Sequence, residues 1–425
     1  MVFSHIHRGW FILVITVLNG FACLGLARFS FGVILPFMIE GLSLSYSEAG
    51  LIASALFFGY LASAFFVGRF IQAYKEKKVI IFSLLLTAVG MFLSVISYHF
   101  WLAYIACFIM GLGSGAGNIT SVGLVGKWFA VSHRGRALGI TNSGSGLGMI
   151  FSGFIVPILM VWNIDGWRMS WLVLALCVLL ILLINVFFLI DDPSTIRLKP
   201  VGKEIPPDKV KGNKASVIES IYCNKSILLI GLTYFAWGFS YLIFSTFFVD
   251  FLMIDAKLEM NLAGTFFAIA GIVSVVSGFI WGRLSDRIGR MLTLFFVYLT
   301  QTFILLLFAI TSHPALLMIE TIIYALTLWA VPTVIVAAVS DIVIPLKSPM
   351  AIGYITLFFG IGQWLSPMIT GSLVEHFSYT IAFYLSAVVC GLGSIGCIYL
   401  HRTFRTRNKI SFNPNIQEVN SDPLK

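Results

Sequence analysis

Charged side chains are scarce in this sequence. Asp, Glu, Lys and Arg make up 11% of its 425 residues, less than half the share that soluble domains carry. A water-soluble core of this length would leave far too much apolar surface facing water. Cysteine is sparse and scattered. Cys23, Cys107, Cys177, Cys390 and Cys397 sit inside apolar runs as small hydrophobes, and Cys223 stands alone, so neither a disulfide framework nor a metal quartet is available. Cofactor motifs in a fitting context are missing as well. Gly391-Leu-Gly393-Ser-Ile-Gly396 spells a dinucleotide fingerprint, but it lies inside an apolar run with no strand before it and no ribose acid after it, and reads as helix packing. No covalent nucleophile stands out, so an enzyme fits poorly and no cofactor is expected. His5 and His7 read as interfacial residues and not as metal ligands. Long hydrophilic stretches are limited to one internal segment, Asp191–Asn224.

What is present is apolar sequence. Hydrophobic residues account for 59%, aromatics for 15%, and the mean hydropathy is +0.98. A membrane-spanning helix needs roughly 20 mostly apolar residues. Twelve such runs follow one another at about 10–37, 47–68, 79–98, 101–126, 136–161, 167–190, 225–252, 262–282, 291–311, 315–340, 349–374 and 379–400. They are continuous runs, not alternating ten-residue segments, which excludes a barrel. Met1–Gly9 lacks a small-residue cleavage site, so the first run is expected to stay as a signal anchor. The fold class expected is an all-α polytopic membrane protein, a monomer in the bilayer.

The net charge of +9 is a topology signal and not a nucleic-acid footprint. Of the 27 Lys and Arg residues, 24 fall on one face, in the loops after even-numbered runs and at the two ends. By the positive-inside rule both termini are cytoplasmic, which requires an even number of spans. The organisation is a duplication. A shift of 214 residues places Gly68-Arg69 on Gly282-Arg283, Ala137 on Ala351, Gly139 on Gly353, Gly146 on Gly360, Gly148 on Gly362 and Ser152 on Ser366. The expected parts are a six-helix half over 1–190, a basic cytoplasmic linker over 191–224, a second half over 225–401 and a polar tail over 402–425. Repeats of this kind mark secondary transporters, with the substrate site at their interface.

With these residues on view, the chain resembles the major facilitator superfamily over essentially its whole length. Gly282-Arg-Leu-Ser-Asp286-Arg287-Ile-Gly289-Arg290 is similar to the loop signature G-x-x-x-D-R-x-G-R. The resemblance implies a gate in which Gly282 lets helices approach, Asp286 pairs with Arg287 or caps a helix, and Gly289 permits the turn. In the first-half loop, Gln72 stands where the pattern has Asp. Lys127-Trp128-Phe129 followed by Arg134-Gly135-Arg136-Ala137-Leu-Gly139 resembles organic-anion branches such as the oxalate–formate and monocarboxylate carriers. The Asp–Arg pair that monocarboxylate carriers hold in span 8 has no counterpart in Asn261–Trp281.

Ionisable groups deep in a span are costly, and they face a cavity or a partner. Two qualify, Arg28 in span 1 and Glu320 in span 10. At 1.5 Å per residue, Arg28 lies ~14 Å inward from Phe37 and Glu320 ~9 Å inward from Pro314, so an ion pair between them is one expectation. The functional alternative gives Arg28 a substrate carboxylate or phosphate, which its planar fork suits, and gives Glu320 a coupled proton. The resemblance places spans 1, 4, 7 and 10 around a central cavity. Further candidates for the substrate site are Asn118, Asn142, Tyr234, Trp237, Tyr241, Trp329 and Gln363. Asp250 and Asp341 lie near span ends and are expected to snorkel or pair there. The expected function is alternating-access transport of a small organic anion with proton coupling in a bacterial inner membrane. The alternatives are a drug or metabolite exporter of the same fold, or a transporter-like sensor that does not translocate.

Overall fold

The computed structural model describes residues 7–162, 165–202, 221–343 and 347–411. His5, most of the expected linker and the tail beyond 411 lie outside the described residues. Eleven helices among the described residues are long and apolar enough to cross a membrane. One of them, Tyr46–Val95, is fifty residues long and holds two of the expected spans. Its backbone leaves the helical region at Lys75, where φ is 66° and ψ 165°. A non-glycine residue in this left-handed region is uncommon and makes the reversal in a single step. The twelve spans are therefore α1 (Arg8–Gly41), α2 (46–74), α3 (76–95), α4 (Phe100–Trp128), α5 (Val131–Trp162), α6 (Gly166–Phe188), α7 (Lys225–Ile254), α8 (Met260–Ile288), α9 (Arg290–Phe308), α10 (Pro314–Ile342), α11 (Ser348–His376) and α12 (Tyr379–Ser411).

Local chemistry explains several boundaries. Ser45 and Glu48 form a reciprocal capping box at the head of α2, with bonds of 3.2 and 2.9 Å. The Asn224 side chain caps α7 by accepting from the backbone of Ser226 and Ile227. Gly289, at φ 94°, ends α8. The tryptophan–phenylalanine–arginine string closes the α4–α5 corner: Lys127 pairs with Glu76 at 2.6 Å, Trp128 donates to the Ile190 carbonyl, and Arg134 reaches the carbonyls of Gly126 and Phe129.

The duplication is visible in the packing. A Cβ on Gly148 would lie 2.0 Å from Gly25 Cα, so α5 seats directly on α1. A Cβ on Gly362 would lie 2.6 Å from the Phe235 carbonyl oxygen, so α11 seats on α7 in the same way. Small residues substitute here for a hydrophobic driving force that lipid does not provide. Polar bonds add to it. Asn19 of α1 and Asn185 of α6 exchange side-chain hydrogen bonds of 3.1 and 2.7 Å in the buried first half. Both α1 and α7 widen into a short π-helical stretch, at Phe21–Phe29 and Ile243–Phe247. Such stretches concentrate at functional positions.

The two halves meet closely at their outer ends. A Cβ on Gly32 of α1 would lie 2.2 Å from the Ser245 carbonyl of α7, and one on Gly50 of α2 would lie 2.3 Å from the Pro367 carbonyl of α11. At the cytoplasmic ends the picture reverses. Gly68, Gly135, Gly139 and Gly353 have nothing within 4 Å of an added Cβ.

Candidate functional site

Arg28 projects from the π-helical stretch of α1 and is only 7% exposed. Its guanidinium lies 4.6 Å from the centroid of Phe57 and 5.7 Å from that of Tyr60, both on α2, and 5.7 Å from that of Tyr241 on α7. These are cation–π distances. Nη2 donates to the Tyr241 hydroxyl oxygen, which also accepts from Nε2 of Gln363 on α11 at 2.5 Å. Asn118 of α4 donates to the Tyr60 hydroxyl at 3.0 Å. Arg28, Asn118, Tyr241 and Gln363 thus converge from both halves.

No carboxylate pairs with Arg28 among the described residues. Its Nε and the Nε1 of nearby Trp237 are buried and have no hydrogen-bond partner there. A buried charge ordinarily carries a counter-charge, because leaving it alone costs several kcal/mol. Arg28 and Trp237 thus each hold a buried, unmatched donor beside Tyr241.

An aromatic wall backs this group. Tyr234, Trp237 and Tyr241 follow one another at helical spacing on α7. Phe359 of α11 stacks on Tyr234 at 4.6 Å, and Trp237 stacks on Tyr241 at 4.5 Å. Trp329 closes the wall, 6.4 Å from Trp237 and 5.9 Å from Phe29. It stands where α10 breaks, between Pro314–Leu328 and Ala330–Ile342. Pro332 lacks an N–H and crowds the Leu328 carbonyl. Neighbouring spans take up the freed backbone groups: Trp281 donates to Leu326, Gln301 to Thr327, and the Trp329 N–H donates to Ser277. Broken helices of this kind are tolerated within a membrane only where protein satisfies them.

Other expected residues fall elsewhere. Asn142 is exposed and joins none of these hydrogen bonds. Glu320 is buried, but it does not pair with Arg28: its Oε1 accepts from Thr311 at 2.7 Å, its Oε2 has no partner among the described residues, and its part of α10 packs on α8 and α9 of its own half. A depth difference within an arginine's reach did not bring the two charges together, because the Glu320 part of α10 packs within its own half. In the signature loop Asp286 pairs with Arg290 at 2.5 Å, one turn on, and not with Arg287; Arg290 also holds Asp341 at 3.0 Å. Gly282 meets no helix closely here, since its Cβ would have only Thr333 at 3.5 Å.

Asp250, expected near a span end to snorkel or pair, does not snorkel: it is 2% exposed and accepts from the Tyr379 hydroxyl of α12. Sequence reasoning also passes over Phe57, Tyr60 and Phe359. The available signal was spacing: Phe57 and Tyr60 lie three apart on α2, hence on one face.

Comparison with known proteins agrees with this architecture. A family model described as Major Facilitator Superfamily matches residues 17–342 and 302–423. The chain is 24% identical over 399 residues to a probable sulfoacetate transporter of Cupriavidus necator, covering 88% of this chain and 90% of that one. It is 23% identical over 267 residues to the hexuronate transporter of Bacillus subtilis, covering 62% and 61% respectively. Among solved structures, a bacterial homologue of the human lysosomal transporter Spinster superposes with a TM-score of 0.76 at 16% identity, over 94% of this chain and 98% of that one. The nucleoside transporter NupG gives 0.73 at 13% identity, over 93% and 99%. With twelve spans in two like halves and a polar cluster at their joint, the chain belongs to the Major Facilitator Superfamily, as a multi-pass protein of the bacterial inner membrane.

Proposed function

We propose that the protein is a secondary active transporter that moves a small organic anion by alternating access, driven by protons. The observation that carries this reading is the buried Arg28 guanidinium with no carboxylate beside it. An anionic head group would supply the missing counter-charge and accept from Arg28 Nε and Trp237 Nε1. The Tyr241 oxygen already accepts from Arg28 and Gln363, so its own proton is left to donate to the same anion. One cation with neutral donors suits a single negative charge. The stacked rings of Tyr234, Trp237 and Phe359 suit a compact carbon body. Relatives named as sulfoacetate and hexuronate transporters support the anion class. An aromatic wall would also serve an exporter, but a lone buried guanidinium selects against cationic cargo.

The seams between the halves support alternating access. Gly153 of α5 meets Gly264 of α8, and seven residues further in Gly146 meets Gly271 and Val275. One more step of the same register brings Gly139 opposite Gly278 and Gly282, yet Gly139 touches nothing. On the other seam Gly50 meets Pro367 and Gly371, Leu61 meets Gly360, and the next rung, Gly68 with Gly353, is open. Both seams are closed outside and parted inside. In this reading the open rungs close when the outer side opens.

The deciding experiment is uptake by proteoliposomes with an imposed pH gradient, tested against a panel of small carboxylates and sulfonates. Accumulation that collapses with the gradient is expected. Accumulation of organic cations, with no competition by any anion, would sink the reading.

A further inference from the structure

The outer seam holds a carboxyl group that the anion site does not use. Asp250 lies near the outer end of α7, 2% exposed. Tyr379 of α12, in the same half, donates to it, and the hydroxyl of Tyr46, at the head of α2 in the opposite half, reaches the same carboxyl. The two phenol rings meet edge to face with centroids 6.1 Å apart. A second bond crosses the seam beside them, from the Ser47 backbone N–H to Glu375 of α11 at 2.7 Å. The ionisable groups on the surrounding elements are Glu40 at the end of α1, Tyr46 and Glu48 on α2, Asp255 and Lys257 after α7, Glu259 before α8, Glu375 and His376 on α11, and Tyr379. None of the cations pairs with Asp250 among the described residues, and the charge that reaches it is the like charge of Asp255.

Burial without a cation disfavours a bare carboxylate in this position, against the two phenol donors that favour one; a protonated carboxyl escapes that desolvation cost. The environment also depends on conformation. Tyr379 travels with Asp250, whereas Tyr46 belongs to the other half and must leave when the outer side opens, letting water reach the carboxyl. We propose that Asp250 is a proton-binding site of the outer seam: it holds a proton while the seam is shut and releases it to external water when the halves part. The released proton returns from the same side on closing. Asp250 is therefore a latch set by external pH, distinct from any proton carried across with the substrate. This inference rests on the alternating-access reading above.

The test uses full-length protein in lipid nanodiscs, with the native cysteines replaced and spin labels at Ser43→Cys and Lys257→Cys. These exposed outer-loop positions lie in opposite halves. The distance between the labels should lengthen as pH rises from acid to mildly alkaline. Asp250→Asn, which cannot ionise, should hold the short distance across the whole range. Tyr46→Phe, which keeps Asp250, should retain a pH response. Should Asp250→Asn fail to insert, the infrared band of a protonated carboxyl in the otherwise unmutated protein should fade in step with the distance change. A distance that ignores pH in the parent protein, or an unchanged response in Asp250→Asn, would overturn the latch. Anion binding measured on the same samples separates the two readings: its absence from the parent protein speaks against the Arg28 site, whereas a lost pH response with binding intact speaks against Asp250 alone.

Discussion

The hydroxyl of Tyr241 in the second half accepts a hydrogen bond from Arg28 in the first, so one phenol ties the buried charge to both halves. Gln363 holds the same oxygen from α11. Removing that oxygen strands two buried donors at once. Tyr241→Phe should therefore lower the thermal midpoint by an amount matching about 1–3 kcal/mol, and a bound anion should recover much of the loss. Melting curves with and without substrate check this; an unchanged midpoint would contradict the assigned contact.

Arg28→Lys keeps the charge but loses the planar fork. Affinity for the anion should fall at least about tenfold, equivalent to about 1.4 kcal/mol, while insertion is preserved. Titration calorimetry reads the effect directly. Because Glu320 bonds to Thr311 and not to Arg28, the stability effects of Arg28→Gln and Glu320→Gln should add within about 0.5 kcal/mol. Rescue of one change by the other would restore the ion-pair reading.

Gly139 and Gly148 offer a paired test on one helix. Gly148→Leu places carbon into the Gly25 backbone and should prevent folding. Gly139→Leu meets nothing in this conformation and should fold normally. The added side chain should nevertheless block closure of the inner seam. Transport should then be lost while anion binding from the cytoplasmic side persists, and Gly353→Leu should behave alike. Normal turnover in Gly139→Leu would show that the inner rung never closes.

Asp286→Asn weakens an exposed pair with Arg290, and such pairs contribute little to stability, about 0–1 kcal/mol. Binding should be unchanged while the transport rate drops several-fold, by transport assay alongside equilibrium binding on purified protein. Affinity falling in proportion to rate would place Asp286 in the site and not in the gate.

Much of this was legible because lipid makes charge conspicuous. Arg28 stood out as a lone cation in an apolar run, and the repeat was readable from glycines whose spacing the helix seams require. The reversal between α2 and α3 was legible but its tightness was not, since a basic stretch reads as a loop, whereas only Lys75 leaves helical geometry. The burial of Asp250 was not legible because its depth was judged from the end of its own run. Its burial comes from Tyr46 and Tyr379, some two hundred residues before it and more than a hundred after, which no local pattern records. Phe57, Tyr60 and Phe359 are aromatic residues among many others, and only the fold distinguishes them. Pairing within the signature was ambiguous because Asp286 has an arginine both beside it and one turn away. Helical geometry favours the latter.

The break at Trp329 divides α10 into two rigid rods. The inner rod, Ala330–Ile342, carries Asp341 near its far end, ~16 Å from Ala330, where Arg290 grips it. At its near end is the indole that touches Phe29, the residue next to Arg28. In the proposed transport cycle, a tilt of the signature loop would reach the Arg28 cluster as the swing of a pushrod about a pin, with the outer rod and Glu320 left in place.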